Sequence, residues 1–201
     1  MGKMNNASGN ESPAVSITFF RKLIRAAKLD SNLYEAIEHD PSALKHAWLA
    51  IIFINVCSII GNVIYDMRLY GKTMSSADLP VVGLIMGEAI LLALAKWLIL
   101  TGLIYLVGVK IFRGTAGFRE IQRTIAFAYV PVALQILLPL FVLYDWALLV
   151  LVGTNLWMIA ALVIAVRQSL DLSTQKAFVI VVLTGIVYFI VSILPLVPVV
   201  Y

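Results

Sequence analysis

The chain has 201 residues, 62% of them hydrophobic and 13% charged, and its 15 Lys and Arg against 11 Asp and Glu give a formal net charge of +4. A mean hydropathy of +0.98 leaves too little polar material to clothe a water-soluble domain, so the composition selects a polytopic membrane protein. The cations stand beside apolar runs, where they set orientation and meet anionic lipid rather than nucleic acid. The single cysteine, Cys57, excludes an intrachain disulfide and a Cys-rich zinc site.

Residues 1–16 read as a flexible polar N-terminus, and no secretory apolar run follows directly, so no cleaved signal is expected. Residues 17–44 read as a cytosolic amphipathic and acidic lead-in. On a helical wheel Ile17, Phe19, Phe20, Leu23, Ile24 and Ala27 share one arc, while Arg21, Lys22, Arg25 and Lys28 share the other. That pattern predicts an in-plane helix, with Phe19 and Phe20 at the acyl boundary and the four cations toward head groups. The alternative is a helix packed on the cytoplasmic ends of the spans. An acidic stretch follows, with Asp30, Glu35, Glu38 and Asp40, and the Asp40–Pro41 pair predicts a helix start near Pro41. His39 and His46 do not combine with Glu35 or Glu38 into a metal site, because Pro41 interrupts the register between them. No metal and no cofactor are expected.

From residue 45 onward the fold expected is an all-α bundle of five transmembrane helices, at 47–64, 80–109, 124–143, 146–166 and 177–201. Residues 124–166 make one apolar block that as a single helix would be about 65 Å long, twice the hydrocarbon core. The block must therefore turn, at Tyr144–Asp145 where its only charge stands. Twelve Lys and Arg fall before the first span and in the second-to-third and fourth-to-fifth connections, against two in the first-to-second connection. The larger set marks the cytoplasm, placing the N-terminus inside and the C-terminus outside. Pro131 and Pro139 remove backbone donors and predict a loosened third helix near Phe127 and Gln135, and Pro195 and Pro198 break the end of the fifth.

Two ionisable residues lie inside a span, Glu88 and Lys96, separated by about 12 Å along the helix axis. Gly83 and Gly87, just before Glu88, form a spacing that admits a neighbouring helix. Span midpoints put Asn55, Lys96, Gln135, Asn155 and Tyr188 at one depth, with Glu88 and Asn62 at a second level. These residues read first as hydrogen-bonding glue between helices. The functional alternative is a polar cavity around Lys96 and Glu88 that binds a small ligand or a lipid head group.

Three segments, "KLDSNLYEAIEHDPSALKHA" before the first span, "FREIQRTIAFAYVPVAL" entering the third and "ALVIAVRQSLDLSTQKA" leaving the fourth, resemble the prokaryotic branch of the YIP-domain (Ypt-interacting) membrane proteins. Arg123, Ala126, Phe127, Pro131, Arg167 and Gln168 carry most of the likeness. The resemblance implies a five-helix integral membrane protein with a cytosolic N-terminus, in a prokaryotic plasma membrane. Its eukaryotic relatives look like adaptors for small GTPases, but the Asp-Leu-Tyr-Gly-Pro sequence associated with them is missing here. The function expected is therefore a non-enzymatic scaffold or accessory subunit, meeting other membrane subunits or a second copy through Glu35, Glu38, Arg113, Arg119, Arg123 and Arg167. The alternative is a small transporter, channel or lipid-handling protein. Neither a nucleophile with a base nor a phosphate-binding loop is legible, so no enzyme is expected.

Overall fold

A computed structural model describes residues 18–71, 73, 75, 78–141 and 146–193, with side chains as far as residue 190. The polar stretch 1–16, Ile17, Lys72, the Tyr144–Asp145 turn, Pro195 and Pro198 lie outside the described residues. The elements are α1 (Phe19–Ala27), α2 (Ser31–His39), α3 (Ala43–Leu69), α4 (Leu79–Tyr105), α5 (Phe118–Ala128), α6 (Ala147–Ser169) and α7 (Thr174–Ile193). Among the described residues there is no strand. Among the described residues four helical segments are long and apolar enough to cross a membrane: Ala43–Leu69, Leu79–Ile111, Phe118–Leu140 and Ala147–Ser169. The fifth expected span begins in α7, whose described apolar part, Thr174–Ile190, is shorter.

α1 forms part of the expected amphipathic helix, but it packs onto the bundle instead of lying free. Lys22, Leu23 and Ala26 are buried, while Phe20 and Ile24 stay exposed. Phe20 meets Phe53 of α3 edge-on, with ring centroids 6.4 Å apart, so its apolar edge continues the outer surface of α3. α1 stops because Leu29 takes a left-handed conformation (φ 58°), letting Asp30 N donate to Arg25 O at 3.2 Å and Leu29 N to Ala26 O at 3.0 Å. Asp30 then caps α2 by accepting from Asn32 N at 3.1 Å and binds Arg25 Nε at 2.7 Å. Asp40 accepts from Ser42 N and Oγ, closing the turn from which α3 starts at Ala43.

The third span starts earlier than its apolar run, at Phe118, because Glu120 turns back to accept from Gly117 N at 2.6 Å and nucleates the first turn. Its α-helical part ends at Ala128, and the chain continues as a tighter 3-10 helix over Val130–Leu140. Missing donors at Pro131 and Pro139 thus change the helix type. α4 runs on through a π turn over Leu106–Ile111. α3 lies directly against the 3-10 segment: a Cβ built on Gly61 would stand 2.0 Å from Gln135 O and 2.6 Å from Ile136 Cα. Gly83 and Gly87, the expected close-approach pair, have nothing within 4 Å of such a Cβ. The intimate contact falls at Gly61, where all the nearest atoms are backbone.

Candidate functional site

The three segments that carry the family resemblance are far apart in sequence and meet at the α2 end of the bundle. α2 lies against α5 and α6, burying Leu33, Tyr34 and Ile37. Arg123 reaches out of α5, and its Nη2 donates to Glu38 O, near the C-terminus of α2. A guanidinium at that end satisfies a free carbonyl and opposes the negative pole of the helix. Arg123 is itself buried, so its charge is held between α5 and α2.

α6 ends as α1 does. Asp171 adopts φ 51°, Leu172 N donates to Arg167 O at 3.2 Å, and the chain turns sharply into α7. A polar recess of about 640 Å³ opens between this turn and α2, lined by Glu35, Glu38, His39, Arg167, Gln168 and Asp171, among others. Asp171 is steadied by Thr115 Oγ1 at 2.8 Å, Arg167 Nε donates to Gln168 Oε1 at 3.0 Å, and His39 Nδ1 lies 3.0 Å from Glu35 O. Glu38 is 9% exposed. Its burial pushes its pKa up to about 7; His39 opposes this, and Asp171, Glu120 and Glu35 reinforce it. Glu35, Glu38 and Arg167 were expected at a partner surface, and the recess brings them together. His39 joins them from the end of α2, and Gln168 and Asp171 from the turn, whose run of polar residues after Arg167 was the available signal. Arg113 and Arg119 are exposed and do not line the recess.

The residues expected to form one mid-depth cluster separate into two groups. Asn55, Lys96 and Tyr188 line a small pocket with Trp97 and Tyr129. Gln135 instead accepts from Ser58 Oγ at 2.7 Å and Asn62 Nδ2 at 3.5 Å, and its Nε2 donates to Thr154 Oγ1 at 3.4 Å, tying α3 to the 3-10 segment and α6. Asn155 faces outward and donates to Leu151 O of its own helix, so Thr154 makes the inward contact at that level. Glu88 is exposed on α4. Among the described residues the ion pairs are Lys22–Asp40 and Arg25–Asp30; Glu88 and Lys96 do not pair.

Of the residues expected at the membrane surface, Phe20, Arg21 and Lys28 are exposed, and Phe19 is partly covered beside His46. Arg25 is engaged by Asp30. Lys22 points the other way, buried with its Nζ 3.4 Å from Asp40, because α1 turns that edge toward the bundle. Among the described residues no group of three His, Cys, Asp or Glu is placed to hold a metal ion.

Long apolar helices wrapped around a buried, partly polar one make this a polytopic membrane protein. A model of the Yip1 domain matches residues 30–194, and the chain belongs to that family. No curated protein and no solved structure matches it.

Proposed function

We propose that the chain is a non-enzymatic integral membrane scaffold, or accessory subunit of a larger membrane assembly, that receives a protein partner in the recess between α2 and the α6–α7 turn. One observation carries this reading: two of the three segments of family resemblance, α2 and the end of α6 with its turn, line one polar recess, and the third packs against α2 through Arg123. Inside the bundle, much of the polarity is consumed by helix-to-helix bonds such as Ser58–Gln135–Thr154. In this reading α7 and the residues after it make a fifth crossing, with the N-terminus in the cytoplasm and the C-terminus outside a prokaryotic plasma membrane. The cation excess at the α2 end supports that orientation. Phe20, Arg21 and Lys28 rest on the lipid surface, and Arg113 and Arg119 flank the partner.

The test is to isolate the chain from its native membranes in mild detergent, identify by mass spectrometry the proteins held with it, and repeat with Glu35→Lys and Asp171→Lys. Both side chains are exposed, and because Asp171→Lys also gives up the Thr115 bond at a left-handed position, the unfolding of each variant is compared with the parent's first. The expected result is a stoichiometric partner that both charge reversals release. A partner held equally by the variants overturns the recess as the docking surface, and a chain that purifies alone overturns the scaffold reading.

A further inference from the structure

Lys96 occupies the interior of the Leu79–Ile111 span, roughly 22 to 26 Å of helix from either end. An ammonium at that depth is costly unless an anion accompanies it, and among the described residues no carboxylate pairs with it. Its pocket, about 90 Å³, is lined also by Asn55, Trp97, Tyr129 and Tyr188. The lining offers the Lys96 ammonium and the Trp97 indole N–H as donors and contains no carboxylate. Trp97 Nε1 is buried with no partner among the described residues, and the amide of Asn55 is turned to Ile51 O at 2.7 Å.

Tyr129 and Tyr188 also line a second space, an apolar groove of about 420 Å³ between α4, α6 and α7. Leu100 and Ile104, one and two turns along α4 from Lys96, form one wall, and Met158, Leu162 and Val181 face them. Each tyrosine has an apolar body and a polar tip, so the pair joins a greasy channel to a cationic end.

We propose that this joined site binds a single-chain amphiphile with a carboxylate head, a free fatty acid, its carboxylate at Lys96 and its chain in the groove. Charge complementarity selects an anion, since each of the two charges is costly alone in the membrane and together they offset one another. Size selects the head: the 90 Å³ pocket has room for a few water-sized groups, enough for a carboxylate and too little for a glycerophosphate. The site is separate from the recess at α2 and stands whether or not a partner docks there.

The full chain in nanodiscs of zwitterionic lipid is exposed to palmitic acid carrying a mid-chain diazirine, and in parallel to its methyl ester. After photolysis the labelled residues are mapped by mass spectrometry. The acid should label groove residues such as Met158 and Val181 at least about tenfold more than the ester, as expected for removal of one member of a desolvated charge pair. Lys96→Met should bring the acid down to the ester's level, while Lys96→Arg keeps the preference. Gly185→Leu gives a second, independent variant. That glycine lines the groove with nothing within 4 Å of an added Cβ, so a leucine there starts from open space, narrows the channel and should reduce labelling by both compounds. Equal labelling by acid and ester, acid labelling indifferent to Lys96→Met, or lysophosphatidic acid competing as well as palmitate would each overturn the assignment.

Discussion

In α4, 27 residues long with Glu88 and Lys96 its only charges, the buried residues are Trp97, Leu100, Thr101 and Ile104. In α5, 11 residues long and carrying Arg119, Glu120 and Arg123, every residue from Ile121 to Ala128 is buried. The shares agree: 22% of the most apolar stretch of the second span is enclosed by protein, against 56% for the third. In water this ordering would be inside out. A lipid solvent is as apolar as leucine, so burying α4 gains little, whereas Arg123 finds its partner, Glu38 O of α2, only by being enclosed. The bundle is thus organised around its polar helix, and its oily helices serve as the wall.

If close packing and polar satisfaction hold the centre, the largest damage should come where backbone meets backbone. Gly61→Ala places a methyl inside contact distance of Gln135 O, with no flexible side chain to yield. We expect a loss of about 3 kcal/mol in unfolding by SDS from mixed micelles. Gly83→Ala and Gly87→Ala, on the open face of α4, should be neutral or stabilise by up to about 1 kcal/mol through helix propensity. Equal effects at the three glycines would break the contrast between wall and centre.

Arg123→Met comes next. It frees the end carbonyls of α2 and deletes a charged hydrogen bond, at an expected cost of about 2 kcal/mol. Amide exchange should rise across α2, where Leu33, Tyr34 and Ile37 are otherwise sealed. Arg119→Met, at an exposed neighbouring position, should stay within about 0.5 kcal/mol. Unchanged exchange in α2 would mean that its apolar face alone holds it to α5.

The same contrast explains what could be read from residues alone. Apolar runs free of charge announce membrane helices because the bilayer tolerates little else, and Pro131 and Pro139 mark the change of helix type because they cannot donate. Facing is harder. Thr154 and Asn155 are adjacent on a helix apolar on every side, and with no wet face there is no periodic pattern to say which turns inward; the threonine does. Gly61 escaped notice for a related reason: a lone glycine in an apolar run has no spacing partner, whereas Gly83 and Gly87 have one and meet nothing in this chain. The recess was half legible. Glu35, Glu38 and Arg167 stood out as charges beside spans, but Asp171 joins them only through the left-handed turn that ends α6.

The remaining test sharpens the comparison from the aqueous side, where Glu38 is a buried carboxyl. Its pKa rises from 4.5 to about 7 in the folded chain. Below about pH 4.5 its carboxyl is neutral whether the chain is folded or not, and burial costs nothing. Between 4.5 and about 7 the unfolded chain releases the proton while the native one retains it, so stability falls as pH rises, levelling off above 7. Asp30 and Asp40 act in the opposite sense and in a different window. Arg25 holds the first below the ordinary carboxylate range, and Ser42, then Lys22, the second, so their support is lost only when pH falls below that range. Glu38→Gln should therefore flatten the decline between pH 5 and 7 and leave the acid limb of the profile in place, as read from SDS unfolding midpoints in a buffer series. A decline of the same slope in the variant would assign it to another group.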